Sequence, residues 1–350
     1  MRRLLSLLLL LALLLAGAWI GGETYAAAQL RQLSAAGLGF QAQSVAPLRN
    51  LHRIGIRLQD PQIQTTFGRI EAPQAVISVL PLNPMRARLQ LPPTLALDLG
   101  QGPMPLDLTD PRIETRLQPL AGFAPRWAHL SSGPVALDGR PLASGLSVDA
   151  RMAALDAKAP QDAAAAYDVT WRLDQFDPTA FPQLADMADG IGGAGPVMFQ
   201  GKGRVWLDTA PTPAALAAIP APMPNALRID EAKLSIGRLT ARVIGQIRPD
   251  DQGRATGALA LYSRDATPML EAAGDSGLIP KNAVRLAGAM IRSISAMPMP
   301  GEQTDGAPAA PGAMTYPRPE PGELRLPLIM ADGRMSLGPI PLGPAPQLRP

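Results

Sequence analysis

A chain of 350 residues with 47% hydrophobic, 17% charged and 4% aromatic residues can bury an aliphatic core and is not a disordered polymer. The net charge is only +3. Its basic residues (Arg112, Arg116, Arg126 and Arg140 among them) are scattered rather than gathered in a Lys/Arg run with interleaved aromatics, which speaks against nucleic acid as a partner. The absence of cysteine excludes disulfides and thiolate metal sites, and 39 prolines with 33 glycines suit many short strands joined by tight turns.

The chain opens with Arg2-Arg3 and then carries no charge until Glu23. Residues 4–22 are close to the ~20 residues that span hydrocarbon. Arg2 and Arg3 place the N-terminus in the cytoplasm and the body outside, and Trp19 stands where an interfacial aromatic belongs. Ala16-Gly17-Ala18 and Ala26-Ala27-Ala28 would suit a cleaved signal peptide. The length of the apolar run and the helical pattern that continues from Tyr25 to Ala36 favour a retained anchor. Residues 1–22 are therefore read as a transmembrane anchor, 23–40 as a juxtamembrane helical segment and 41–350 as an exported body.

In the body, apolar and polar residues alternate with period two. Ile54, Ile56 and Leu58 interleave with Arg53, Gly55 and Arg57. Ala87, Leu89 and Leu91 interleave with Arg86, Arg88 and Gln90. The same holds for Ile113 to Leu117, Val148 to Met152, and Tyr167 to Leu173. Such segments are strands with one apolar and one polar face, as in an antiparallel sheet covered on one side. Leu239 to Ile247, the turn Arg248 to Gly253 and the return from Ala255 to Tyr262 form the clearest hairpin, and Asp138-Gly139 and Asp332-Gly333 mark further turns. Helical pattern is confined to Pro178–Ala188, Thr267–Ala273 and Pro280–Ala296. Residues 297–322, rich in Pro, Gly and Ala, read as a flexible loop.

Catalytic chemistry is hard to find. His52 and His129 have no partner at ligand spacing, and no nucleophile elbow, Walker loop or H-E-x-x-H motif occurs. Gly190-Ile191-Gly192-Gly193-Ala194-Gly195 matches G-x-G-x-x-G but follows a helical pattern and precedes a strand, the reverse of a dinucleotide loop. Asp250-Asp251 falls in a hairpin turn. No catalytic residue, metal ligand or cofactor is assigned, and the chain is read as non-enzymatic.

The C-terminal run from Leu326 to Pro346, with Ala331-Asp332-Gly333-Arg334 and Leu337-Gly338-Pro339-Ile340-Pro341-Leu342-Gly343, resembles the ending of the bacterial family known as domain of unknown function twenty-one twenty-five. Gly245-Gln246-Ile247 and Gly253-Arg254-Ala255-Thr256-Gly257-Ala258-Leu259 resemble it too. That family looks AsmA-like. The resemblance implies a mainly β fold: an N-terminal transmembrane helix followed by an elongated, curved antiparallel sheet with an apolar groove and a few short helices. It further implies a single-pass inner-membrane protein with its body in the periplasm. Phospholipid and other envelope proteins would be its partners.

The residues raise the same question independently. One-sided strands with so few helices either close on themselves as a scaffold with a protein partner or leave an apolar face for acyl chains. Parity along the hairpin puts Val243, Ile247, Leu259 and Leu261 on one face as the lipid-groove candidates, with Arg242 and Thr256 on the other.

Overall fold

A computed structural model describes residues 23–349 except 29, 33, 36–39, 51, 66–67, 101, 157–158, 181–194, 217, 219–220, 237–238, 265–288, 290–292 and 301–313. The chain is mainly β, with its strands in two antiparallel sheets and only short helices. It divides into two compact units, Met1–Arg140 and Pro141–Pro350.

The first unit is built from strands that pass back and forth between two sheets. One sheet takes β2 (Ser44–Pro47), β3 (Ile54–Gln59), β6 (Gln74–Leu80), β7 (Asn83–Gln90), β10 (Arg112–Gln118) and β11 (Ala124–Ser132), in that order. The other takes β1 (Phe40–Gln41), β4 (Gln62–Thr65), β5 (Gly68–Glu71), β8 (Thr94–Asp98), β9 (Pro103–Leu108) and β12 (Val135–Leu137).

The corners between the sheets follow from local chemistry. Asp60 and Asp110 adopt left-handed φ values of 45° and 49°, each directly before a proline. Aspartate tolerates that conformation, and proline cannot donate to a continuing ladder. Carbonyls of the corner prolines keep the pairing alive: Ala72 N–H donates to Pro61 O at 3.0 Å, and Asp60 N–H to Pro73 O at 3.2 Å.

Residues 23–28 are helical, and Ala27 packs with Val45, Ile56, Leu58 and Ala75 on the inner face of the first sheet. Alternation is thus resolved: Ile56 and Leu58 face this cluster while Arg57 is exposed.

The Asp138-Gly139 turn has φ values of 49° and 73°, the pair that a type I′ hairpin turn needs. It leads into β13 (Arg140–Ala143).

The second unit is a meander in which each strand pairs antiparallel with the next: β14 (Gly145–Ala153), β15 (Ala165–Phe176), β16 (Val197–Leu207), β17 (Pro224–Ile236), β18 (Leu239–Pro249), β19 (Ala255–Ser263), β20 (Leu324–Ala331), β21 (Arg334–Leu337) and β22 (Ile340–Pro344). Asp332-Gly333 turns β20 into β21 with φ 52° and 68°, again the type I′ pattern. Asp250 sets the β18–β19 turn by accepting from the N–H groups of Gln252 (2.9 Å) and Arg254 (2.8 Å).

Part of the Pro/Gly-rich stretch packs on the sheet. Met299 and Tyr316 are buried with Ile244, Ala258, Ala260 and Tyr262, and the Tyr262 hydroxyl donates to Pro317 O at 2.8 Å.

Of the expected helices, 178–188 contributes a 3-10 turn at Pro178–Ala180 and otherwise lies outside the described residues, as does 267–273 entirely. Residues 289 and 293–295 of 280–296 are helical. No helix among the described residues is long and apolar enough to cross a membrane, and the stretch 4–22 lies outside them.

Candidate functional site

Register across the second unit collects apolar side chains into rows. One row runs Ala150–Val169–Gly203–Ile229–Gly245–Leu259–Leu328–Leu337 from β14 to β21. The next runs Val148–Trp171–Gly201–Ala232–Val243–Leu261–Leu326. Parallel rows on either side carry Leu173, Phe199 and Leu234, and Tyr167, Val205, Leu227 and Ile247. Rows lie about 7 Å apart and strands about 4.8 Å apart, so the four rows together reach roughly 20 Å along the strands over β15–β17, and the longest row runs roughly 34 Å from β14 to β21.

The opposite face is ionic over β14–β17. Arg204 pairs with Asp168 at 2.7 Å and Asp156 at 2.8 Å, and Lys202 with Glu231 at 3.4 Å. The hydrogen bond from Arg204 to Asp168 heads the causes that raise the guanidinium pKa. A sheet with one apolar and one ionic face must hide the first from water or bind something there.

The apolar face is not uniform. At the β18–β20 end, Ile247, Leu259 and Met330 form a buried cluster with Ala255 and Ala345, and Leu348 packs on it. The C-terminal segment is strapped across: Ala255 N–H donates to Pro346 O and Leu348 N–H to Gly253 O, both at 2.8 Å, and Arg349 pairs with Asp208 at 3.2 Å. Towards β14–β17 the rows are only partly buried, including Val148, Val169, Trp171, Phe199, Ile229 and Leu234.

Trp171 lies across Gly201. A Cβ there would come within 2.5 Å of the indole ring, so glycine is what admits the ring. The indole is tilted against Phe199 with centroids 5.7 Å apart. Its Nε1–H is buried and has no hydrogen-bond partner among the described residues. Tyr167, beyond the Val169 row, is buried and its phenol pKa is raised by desolvation.

The four sequence-predicted groove residues share this face. Val243 pairs with Leu261, Ile247 with Gly257, and Leu259 with Gly245, while Arg242 and Thr256 take the other parity. They divide between environments: Ile247 and Leu259 sit under the C-terminal strap, whereas Val243 and Leu261 are partly buried. Sequence reasoning did not single out Val169, Trp171, Phe199 and Ile229. The alternation of Tyr167, Val169, Trp171 and Leu173 was visible, but only the pairing register joins it to the β18–β19 hairpin. Arg2, Arg3 and Trp19 lie outside the described residues.

Two other places hold polar groups. A cleft of about 440 Å³ on the ionic side is lined by Glu231, Lys233, Arg242, Arg264, Glu320 and Glu323 among others. Its charges largely satisfy one another: Arg242 pairs with Glu323 at 3.1 Å and stacks 4.6 Å over Tyr262, and Arg264 pairs with Glu320. His129 stacks on Trp127 and contacts Ser131 Oγ at 3.1 Å, and His52 is exposed at the β2–β3 turn. Among the described residues no group of three His, Cys, Asp or Glu could hold a metal ion.

No curated protein and no solved structure matches the chain. Residues 52–346, most of its length, match a family of bacterial proteins. The chain belongs to that family, described as an uncharacterized protein conserved in bacteria (DUF2125).

Proposed function

We propose that this is a non-enzymatic, AsmA-like envelope protein. Residues 1–22 hold it in the bacterial inner membrane as a single-pass anchor, its body lies in the periplasm, and the apolar face of the second unit binds phospholipid acyl chains. The observation that carries this reading is the run of apolar rows across β14 to β21, partly exposed over β14–β17. Apolar faces of this extent mark ligand or partner surfaces. A face about 20 Å deep along the strands accommodates a chain that fills one leaflet, about 15 Å of hydrocarbon.

A closed scaffold with a protein partner is favoured by one feature, the sealing of Ile247 and Leu259 beneath the C-terminal strap.

The test places a photo-crosslinking amino acid at Val169 or Phe199 in the full chain in cells, with Thr170 and Lys202 on the ionic face as controls. Phospholipid adducts at the first pair and not the second are expected. Protein adducts alone would favour the scaffold. Equal labelling of both faces would end the lipid reading. Alkaline phosphatase fused after Pro350 should be active in the membrane fraction, and cytoplasmic retention would overturn the topology.

A further inference from the structure

One end of the first unit's sheet carries two apolar hairpin tips. Ile54, Val79, Ala87, Thr115 and Ala128 lie in one row across β3, β6, β7, β10 and β11. The next residue towards this end in each strand is Arg53, Leu80, Arg86, Arg116 and Trp127. Arg86 pairs with Glu114 and Arg53 donates to Gln90 Oε1 at 3.2 Å, towards the other end of the sheet, while Arg116 has no ion-pair partner among the described residues.

Beyond that band stand two hairpin tips. Leu80-Pro81-Leu82 exposes Leu82 fully (101%), and Pro119 to Phe123 exposes Leu120 fully (98%) and holds Phe123 at φ 62°. Turns ordinarily carry Gly, Asn, Asp or Ser, and a bulky aromatic in the left-handed region is a true outlier. The turns at 138–139, 250–253 and 332–333 obey that chemistry. The tips at 80–82 and 119–123 hold Pro81, Pro119 and Gly122, which suit turns as well, yet each also presents a fully exposed leucine.

The third observation is where the chain enters. The Glu23 carboxylate is buried and accepts from Gly55 N–H at 2.8 Å and Arg49 N–H at 3.3 Å, at the start of β3. Residue 23 is therefore pinned at the same end as Arg53 and Leu80, and exposed Tyr25 (68%) follows it. The uncharged residues 4–22 directly precede that point.

We propose that this end of the first unit seats on the membrane surface: Leu82, Leu120 and Phe123 dip into the interface, and Arg86 and Arg116 meet anionic lipid headgroups beside Trp127. This rests on the anchor reading above. The occupant follows from position and chemistry together. Apolar tips backed by a basic band with an indole reproduce the layering of a bilayer interface. A chain leaving residue 23 as a membrane span brings that interface to this end of the sheet.

The chain has no cysteine, so Leu82→Cys and Leu120→Cys each offer a single labelling site. Gln74→Cys, at the far end of β6 and about 20 Å from Leu80, is the control. The full chain carrying an environment-sensitive fluorophore is reconstituted in vesicles of phosphatidylcholine with phosphatidylglycerol, with or without nitroxide-labelled lipid. Labels at 82 and 120 should emit in the blue and lose most of their intensity to the nitroxide, and the label at 74 should do neither. Arg116→Glu should weaken the quenching, as should replacing phosphatidylglycerol by phosphatidylcholine.

Extraction at alkaline pH tests the anchor alone. Protein that stays in the membrane while labels at 82 and 120 report water would overturn the docking and leave the anchor standing. Protein released by the extraction is mixed with the same vesicles, where quenching still supports the docking and its absence overturns it. A blue shift without lipid quenching would give the tips to a protein partner and also overturn the proposal.

Discussion

Leu259 and Val169 occupy the same row of the apolar face but not the same environment, and aspartate at each should separate a sealed core from an open surface. Leu259 is 9% exposed and packed among Ile247, Met330 and Ala345. Leu259→Asp forfeits nearly the full transfer free energy of a leucine, about 2–3 kcal/mol. It also leaves a carboxylate without a partner in an apolar cluster, which adds about 3 kcal/mol or more. The sum, above about 5 kcal/mol, is comparable with the whole stability of a domain. Val169 is only partly buried, so its aspartate can reach water and should cost about 1 kcal/mol. Urea unfolding followed by tryptophan fluorescence at pH 8 measures both. Val169→Asp should keep a cooperative transition near that of the parent while losing lipid adducts at Phe199. Leu259→Asp should not fold. Equal and large destabilisation by both would mean that the β14–β17 region is sealed too, and the contrast drawn here would be wrong.

Two further outcomes follow from specific contacts. Tyr262→Phe removes the 2.8 Å bond to Pro317 O, should cost about 1 kcal/mol, and should speed proteolysis around residues 314–320; an unchanged cleavage rate would show that packing of Tyr316 suffices. Burial alone would raise the Glu114 pKa, but the hydrogen bond from Arg86 and the charges of Arg86, Arg88 and His129 together hold it below the ordinary carboxylate value. Its contribution is therefore present above the unfolded pKa and lost as pH falls through the depressed folded one. The parent's melting temperature should fall more than that of Glu114→Gln below pH 4.5; parallel curves would refute it.

The strands that alternate cleanly could be read from sequence because each buries one face only. Ile113 to Leu117 and Tyr167 to Leu173 are of this kind, and the Asp-Gly turns declared themselves by their need for positive φ. β17 was harder. Its register shifts between Ile229 and Ala232, which breaks the period of two. β9, Pro103 to Leu108, alternates as well, yet its two prolines argue against a strand until the corner that ends it is seen. The apolar face was half visible: parity grouped Val243 with Ile247 and Leu259 with Leu261. The C-terminal strap that buries Leu259, with Val243 packed at the cluster's edge, depends on pairs such as Arg254 with Gln347, for which local pattern holds no signal. The basic band was hidden for the same reason. Arg86 and Arg116 lie 30 residues apart along the chain, and only strand pairing makes them neighbours.

A meander in which every strand pairs with its successor has an unusual freedom to grow. In β14 to β22 each strand lies beside its successor, so inserting one hairpin between neighbours would widen the sheet by about 10 Å and keep the same order. Loss of a hairpin would narrow it by the same step. The capacity of such a surface can thus change in increments of two strands, through ordinary duplication or deletion of a short segment. Contacts between sequence neighbours also form early and cheaply, so a lengthened variant would inherit a folding route as well as a wider sheet.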